Sequence, residues 1–370
     1  MQPALVPQSC PLVKKHISHY RAGLAITRGF HIKDKGQASM ADERYDVVGI
    51  GNAIVDIIAR CDDPFLVQHD APKGHMRLVD RDTISRIYAD AGPAIEISGG
   101  SAANTIAGVA SFGGNCAYVG KVADDDFGDI FTHDMRAMGV TFDTPRATTG
   151  IPTARSLILV TPDGERTMNT FLGVSPGLAP TDLDEDIIAA GRITYLEGYL
   201  FDAEAAKAAF RQAALFAHKA GRRVSITLSD GFCVDRHRTE FLDLIVKDID
   251  ILFANESEIT SLYQVEDFDD ALSRTRADTA FAVLTRSESG SVVVAGNETI
   301  SVPAFPIDQI VDSTGAGDLY AAGFLFGLSR SFDLERCARL GSFAAAQIIS
   351  QIGARSDRNL RDAAIAEGLL

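Results

Sequence analysis

The sequence predicts an α/β protein built on a largely parallel sheet with helices on both faces. Three observations carry that expectation. Short apolar runs alternate with helical stretches throughout the C-terminal half, and β-α-β alternation of this kind implies parallel strands joined by crossover helices. Glycines recur where apolar runs end, as in Val48-Gly49-Ile50-Gly51. Finally, 370 residues with 46% hydrophobic and 23% charged side chains suit one large α/β domain or two smaller ones. In such sheets ligands bind beyond the C-terminal ends of the strands, so the chemistry is sought there.

Composition narrows the functional classes. No apolar run approaches the roughly 18 residues of a membrane span, so no membrane partner is expected. A formal charge of −15 argues against a nucleic-acid partner. The five cysteines are odd in number, widely spaced and form no Cys-x-x-Cys pair. That pattern points to a reducing, cytoplasmic setting rather than a disulfide framework or zinc site. Six of the 35 Lys/Arg but only one acid, Asp34, fall in residues 1–39. This basic extension shows no sustained period and lacks the amphipathic, arginine-rich pattern of a transit peptide. Met40 leads directly into the first strand, so residues 1–39 are expected to be a disordered or non-native extension of a domain over 40–370.

Taken in order, residues 45–51 read as a buried strand ending at glycines. Gly49-x-Gly51 lacks the third glycine of a dinucleotide fingerprint, with Ile54 in its place. Asn52 and Asp56 follow at this strand's end. Residues 57–79 alternate loosely, broken by Pro64, Pro72 and Gly74. Gly99-Gly100-Ser101 opens a helix that runs through Asn104 to Ser111, and residues 117–120 return as a strand. Asp124, Asp125 and Asp126 read as a solvated helix start, since no further ligands stand at calcium-loop spacing. Around 150–173 two strand-like runs flank Pro162-Asp163-Gly164, a hairpin signal. Strands are then expected at 193–196, 224–228, 249–253, 282–284 and 291–295. Helices are expected at 203–220 and 258–263.

The most informative stretch is Asp312-Ser313-Thr314-Gly315-Ala316-Gly317-Asp318, which runs into an apolar, alanine-rich helix. Glycines let the backbone approach a ligand closely. The first N–H groups of the helix are unpaired and sit at the positive end of its dipole, which makes an anion site. Asp318 inside that site would repel phosphate unless it acts as a general base. It would take the proton of a hydroxyl that attacks a phosphoryl group held by the N–H groups of Gly315, Ala316, Gly317 and Asp318. The alternative is a glycine turn with a helix-start carboxylate.

The string from Asp312 to Phe324 resembles the C-terminal signature of the ribokinase-type (PfkB) carbohydrate kinases. Gly99-Gly100-Ser101-Ala102-Ala103-Asn104, continuing through Ala107 to Gly113-Gly114, resembles the N-terminal one. The resemblance runs from about Tyr45 to the C-terminus. It implies a ribokinase-like three-layer α/β/α sandwich with a small β-sheet lid made from segments 57–79 and 150–173. Lid closure would exclude water, the competing phosphoryl acceptor. On this resemblance Asn52, Asp56, Gly99, Gly100, Ser101 and Asn104 hold the sugar, with Asp56 accepting from vicinal hydroxyls. Arg166 meets substrate or phosphates, or is a surface turn arginine.

Asn255-Glu256-Ser257-Glu258 resembles the family's Asn-x-x-Glu element, which organises magnesium and the phosphates of ATP largely through water. The plainer reading is an N-cap asparagine with a helical glutamate. Thr285 to Gly290 resembles the nucleotide loop, with Ser287 where a glycine is common. Asp312, Thr314 and Gly353 match positions that hold a monovalent cation such as K+. No Gly-x4-Gly-Lys-[Ser/Thr] is present, so this is no P-loop kinase.

Within the family the resemblance is closer to adenosine kinases. Gly51-Asn52 replaces a Gly-Glu or Gly-Asp pair, and 250–258 and 228–232 look like the nucleoside-using branch. Tyr199 and Phe232 could sandwich an adenine or simply pack at a pocket edge. The expected reaction is transfer of the γ-phosphoryl of MgATP to the 5′-hydroxyl of adenosine, by a monomer or homodimer. A kinase of a free sugar (ribose, fructose or 2-keto-3-deoxygluconate) and a noncatalytic nucleoside- or sugar-binding protein are the alternatives.

Overall fold

The structure, a computed structural model, describes residues 43–370. The expectation for residues 1–39 lies outside them. The N-terminal part contains β1 (Tyr45–Ile50), β2 (Ile54–Arg60), α1 (Asp63–Gln68), β3 (Met76–Leu78), α2 (Arg81–Asp90) and β4 (Ala94–Gly99). There follow α3 (Ser101–Ser111), β5 (Cys116–Val119), α4 (Asp126–Ala137), β6 (Ala154–Val160), β7 (Arg166–Phe171) and α5 (Glu185–Ala189). Next come β8 (Gly191–Glu197), α6 (Glu204–Lys219), β9 (Arg223–Thr227), α7 (Gly231–Asp248), β10 (Ile251–Asn255) and α8 (Glu256–Tyr263). The chain continues with α9 (Phe268–Asp278), β11 (Phe281–Thr285), β12 (Ser291–Ala295) and β13 (Glu298–Val302). It closes with α10 (Ala316–Ser329), α11 (Leu334–Ile349) and α12 (Leu360–Ala366).

Eight strands form the main sheet in the order β13-β12-β11-β10-β9-β8-β1-β5. From β11 to β5 every pairing is parallel, and β12 and β13 add an antiparallel edge. Strand side chains alternate between faces, and here both faces are apolar. Val47, Ile193, Ile251, Phe253, Phe281 and Val283 point into one core with α3, α10 and α11. Val48, Leu196, Leu252, Ala254, Ala282 and Leu284 point into another with α6, α7 and α8. A sheet buried on both sides reads as continuous apolar runs, which is why these strands are visible in the sequence. The result is the expected three-layer α/β/α sandwich.

A second sheet has the order β3-β7-β6-β2-β4. Its hairpin β6–β7 is antiparallel with Leu157 opposite Asn169, and β2 runs parallel to β6. Val55, Ile57, Leu157 and Leu159 pack one face of it against Ile84 and Ile87 of α2 and Met135 of α4. Its fifth strand, β4, was not among the expected segments; it pairs antiparallel with β2, bringing Gly99 opposite Ile54.

Asp125 departs from the solvated helix start expected of it. Its side chain caps α4 at Gly128 N (2.9 Å) and also accepts from Thr153 N (2.8 Å) and Thr153 Oγ1 (2.6 Å). It thus ties the start of β6 to that helix. Among the described residues no helix is long and apolar enough to cross a membrane.

Candidate active site

The C-terminal ends of β8, β9, β10 and β11 open into a cavity of about 740 Å³. The second sheet covers one side of it through Ile54, Met76, Leu78 and Met168. This is the crevice that a parallel sheet leaves outside its strand ends.

One wall is the start of α10. Gly315 is in the left-handed conformation (φ 79°), and a Cβ there would lie 2.8 Å from Ala354 Cβ. Glycine is therefore required to make the turn. Gly317 differs: a Cβ built on it would meet nothing within 4 Å. Packing does not demand glycine at this position, and its absence of a side chain keeps open the space before the helix N–H groups. Ala316 N donates to Ser313 O (3.2 Å), whereas the N–H groups of Gly317 and Asp318 belong to the first turn, which has no intrahelical acceptor.

Asp318 sits in that first turn with its carboxylate against α3. It accepts from Ser101 Oγ (2.6 Å) and from Asn104 Nδ2 (3.0 Å). Burial pushes its pKa up to about 6, against the opposing pull of Ser101, Asn104 and the Arg355 charge. Asn104 is 6% exposed, lines the cavity, and leaves its Oδ1 without a partner. A buried carbonyl oxygen left unpaired is costly, and a hydroxyl in the cavity would satisfy it.

Asp56, on β2, faces the same space. Burial raises it to about 6, with Arg355 and Arg166 lowering it and Asp318 raising it. Gly99 does not line the cavity, but a Cβ on it would lie 2.3 Å from Asp56 Oδ2, so its bareness sets the Asp56 rotamer. Gly100 (φ 100°) would place a Cβ 2.3 Å from Asn52 O. Only glycine makes this turn into α3.

Asn52 lines the cavity, yet its amide is held from behind. Nδ2 donates to Glu197 Oε1 (2.6 Å) and Oδ1 accepts from Ser175 Oγ (2.7 Å). Glu197, 1% exposed, also accepts from Ala102 N (2.8 Å) at the start of α3. Burial raises it to about 7, partly offset by these bonds. Glu197 is a site residue that the sequence reading missed: a lone glutamate at a strand end carries no motif, and its partners are remote in sequence.

On the β10–β11 side, Asn255 and Glu258 form a reciprocal cap at the start of α8. Glu258 N donates to Asn255 Oδ1 (2.8 Å), while Glu258 accepts from Asn255 Nδ2 (2.7 Å) and Asn255 N (3.0 Å). This is the helix-capping geometry weighed from sequence, and both residues also line the cavity. Glu258 is 5% exposed and raised to about 7 by burial, with Asp230 and Asp318 adding to the rise. Among the described residues no cation forms a salt bridge with it. Thr285 lines the cavity, whereas Gly290 (φ 84°) lies off it, where a Cβ would come 2.1 Å from Val302 O. Ser287 has φ 48°, so its position is left-handed, as a glycine there would be.

Arg166, at the start of β7, forms a salt bridge with Asp312 through Nη1, and both side chains are under 10% exposed. Asp312 further accepts from Thr314 N (2.9 Å) and Gly353 N (2.9 Å). The three residues expected around a monovalent cation thus meet, with Thr314 N and Gly353 N both donating to the Asp312 carboxylate. Arg166 is thus a further donor to that carboxylate. Tyr199 and Phe232 line the rim, 40% and 76% exposed.

The profile of the pfkB family carbohydrate kinases matches residues 96–360. An adenosine kinase from Sinorhizobium meliloti superposes with a TM-score of 0.81 and 54% sequence identity, covering 88% of this chain and 99% of that one. A probable sugar kinase from Rhizobium etli CFN 42 gives 0.82 and 51%, covering 89% and 100%. The ATP-dependent ribose-1-phosphate kinase of Halopiger xanaduensis is 30% identical over 265 residues, 70% of this chain and 82% of that one. The family profile takes in both the Gly99–Asn104 turn and the Asp312–Asp318 loop, whose side chains meet at Asp318. The chain therefore belongs to the pfkB family carbohydrate kinases, has their ribokinase-like fold, and is a sugar or nucleoside kinase.

Proposed function

We propose that the protein transfers the γ-phosphoryl of ATP to the 5′-hydroxyl of adenosine, with Asp318 as general base. The observation that carries this reading is the position of Asp318. Its carboxylate is steadied by Ser101 and Asn104, while its own backbone N–H lies in the first turn of α10 beside the open space at Gly317. An acceptor hydroxyl placed against Asp318 would face a phosphoryl group held by that helix start. Two bonds leave the carboxylate lone pairs for a third donor, and the substrate hydroxyl is that donor. As it attacks phosphorus, its proton passes to Asp318 and the bond to the β-phosphate oxygen breaks.

Asp56 and Asn104 Oδ1 suit the remaining ribose hydroxyls as acceptors. Beside them Ile54, Met76, Leu78 and Met168 give an apolar wall, which favours an acceptor carrying a base over a free sugar. The 54% identity to an adenosine kinase supports the same choice, whereas the ribose-1-phosphate kinase relative keeps a sugar phosphate as the second reading. Tyr199 and Phe232, exposed where they line the cavity, would close against the ring of that base.

The residues fit magnesium as a water-mediated site. Glu258, a buried carboxylate with no cationic partner among the described residues, lies beside Asn255 on the cavity wall, and this ion needs few protein ligands. Bound with ATP, it would neutralise charge developing on the phosphates. K+ is not part of the proposal.

The test is Asp318→Asn. A folded variant should lose on the order of 10²–10⁴-fold in turnover with little change in ATP affinity, as read by phosphoryl transfer and by calorimetric ATP binding. Near-normal turnover would refute the assignment.

A further inference from the structure

Residues 353–355 lie outside every glycine signature, yet each of the three reaches into the centre described above. Gly353 N donates to Asp312 (2.9 Å). Ala354 packs against the left-handed Gly315 and lines the cavity. Arg355 turns the other way. Its Nε donates to Ser98 O (3.1 Å) and its Nη2 to Ser98 Oγ (3.3 Å), on β4 just before Gly99-Gly100. Its Nη1 donates to Ala103 O (2.9 Å), in the first turn of α3 between Ser101 and Asn104. One planar guanidinium therefore joins the second sheet, the helix that steadies Asp318, and the segment packed on the phosphate loop. A forked donor can do this and an ammonium cannot.

We propose that Arg355 is a positioning residue for phosphoryl transfer. It fixes the sugar-holding turn at Gly99-Gly100 against the Asp318 loop, and sets its charge beside both the strand position next to Asp56's partner Ile97 and the helix turn that holds Asp318. The proposal rests on the reading of Asp318 as base. Arg355 lies outside the two glycine-rich strings at Gly99–Gly114 and Asp312–Phe324, and it makes none of the hydrogen bonds that hold Asp318 directly.

The electrostatic surroundings agree with this role. Asp56 is under the influence of Arg355, Arg166 and Asp318. Asp318 is raised by burial, with Ser101, Asn104 and Arg355 opposing that rise. Its charge in turn raises Glu197, Glu258, Tyr118, Tyr195 and Tyr199. Arg355 itself is held down to about 10 by burial, with Asp56, Tyr118, Asp318 and Asp134 opposing, and so stays charged through neutral pH. Among the described residues it is the one cation that bears on both Asp56 and Asp318. Removing it raises both carboxyls further, so the base is protonated up to a higher pH.

The experiment compares wild type, Arg355→Met and Arg355→Lys in phosphoryl transfer from MgATP to adenosine across pH 5–9. For Arg355→Met the acid limb of kcat/KM should move up by about one pH unit, the size of shift a near counter-charge produces. Its adenosine KM at pH 8.5 should rise about tenfold from the lost charged hydrogen bonds, with the ATP KM little changed. Arg355→Lys should keep the limb but share the raised adenosine KM. An unmoved limb or an unchanged adenosine KM in Arg355→Met overturns the proposal. If that variant does not fold, Arg355→Lys decides, and a wild-type adenosine KM in it is the contrary result. Failure of the underlying reading would look different: wild type inert towards adenosine, or an active Asp318→Asn enzyme.

Discussion

At the scale of single residues, the site is a group of carboxyls that burial pushes toward neutral pH. Asp318 and Asp56 are raised to about 6 and Glu197 to about 7. A general base must be ionised to accept a proton, so turnover should rise with pH through about 6 and level off above 7. Because Asp56 and Asp318 interact, that limb belongs to the pair. A pH–rate profile checks this, and activity undiminished at pH 5 would contradict it. Asp318, Ser101 and Asn104 were legible in the sequence because each stands in a contiguous glycine-marked string. Glu197 and Arg355 were not, since their meaning lies in bonds to Asn52, Ala102, Ser98 and Ala103 that only the folded chain brings near. Asn255 and Glu258 show a third case, where the capping geometry and the place on the cavity wall are compatible and both are present.

At the scale of elements, glycines divide by what a side chain would meet. Gly100→Ala forces a Cβ into Asn52 O from a backbone at φ 100°, and should cost about 1–3 kcal/mol of stability. A Cβ at Gly317 meets nothing within 4 Å, so the melting temperature of Gly317→Val should stay close to that of wild type. Its ATP KM should rise about tenfold or more as the side chain fills the space at the anion-binding turn. Thermal melts with ATP saturation curves on both variants separate the two effects; a Gly317→Val enzyme with normal ATP KM would place the phosphates elsewhere. The central strands were readable because both of their faces are apolar. β4 was not, because Ala94–Gly99 (AIEISG) has neither a long apolar run nor a hairpin signal. It is a strand only because β2 lies antiparallel beside it. Nor does any local signal mark the kink at His237 (φ −121°, ψ 22°) inside α7.

At the scale of the whole molecule, the buried carboxyls couple stability to pH. Asp56, Asp318, Glu197 and Glu258 have folded-state pKa values of about 6, 6, 7 and 7, above their ordinary values of 3.8 for aspartate and 4.5 for glutamate. Between about pH 4.5 and 7 the folded chain therefore binds more protons than the unfolded one, and stability falls as pH rises. The melting temperature of the ligand-free protein should increase from pH 8 to pH 5.5, as scanning calorimetry would read; a melting temperature that does not rise over that range would contradict these shifts. The layered architecture was legible because alternation of strands and helices constrains topology strongly. The acceptor was not, because it depends on side chains from two sheets that meet only across the cavity. Phosphoryl transfer from MgATP to adenosine, inosine, guanosine, ribose, fructose, 2-keto-3-deoxygluconate and ribose-1-phosphate tests the central claim most directly. The account predicts the highest kcat/KM for adenosine; a higher value for a free or phosphorylated sugar would contradict it while leaving the fold and family untouched.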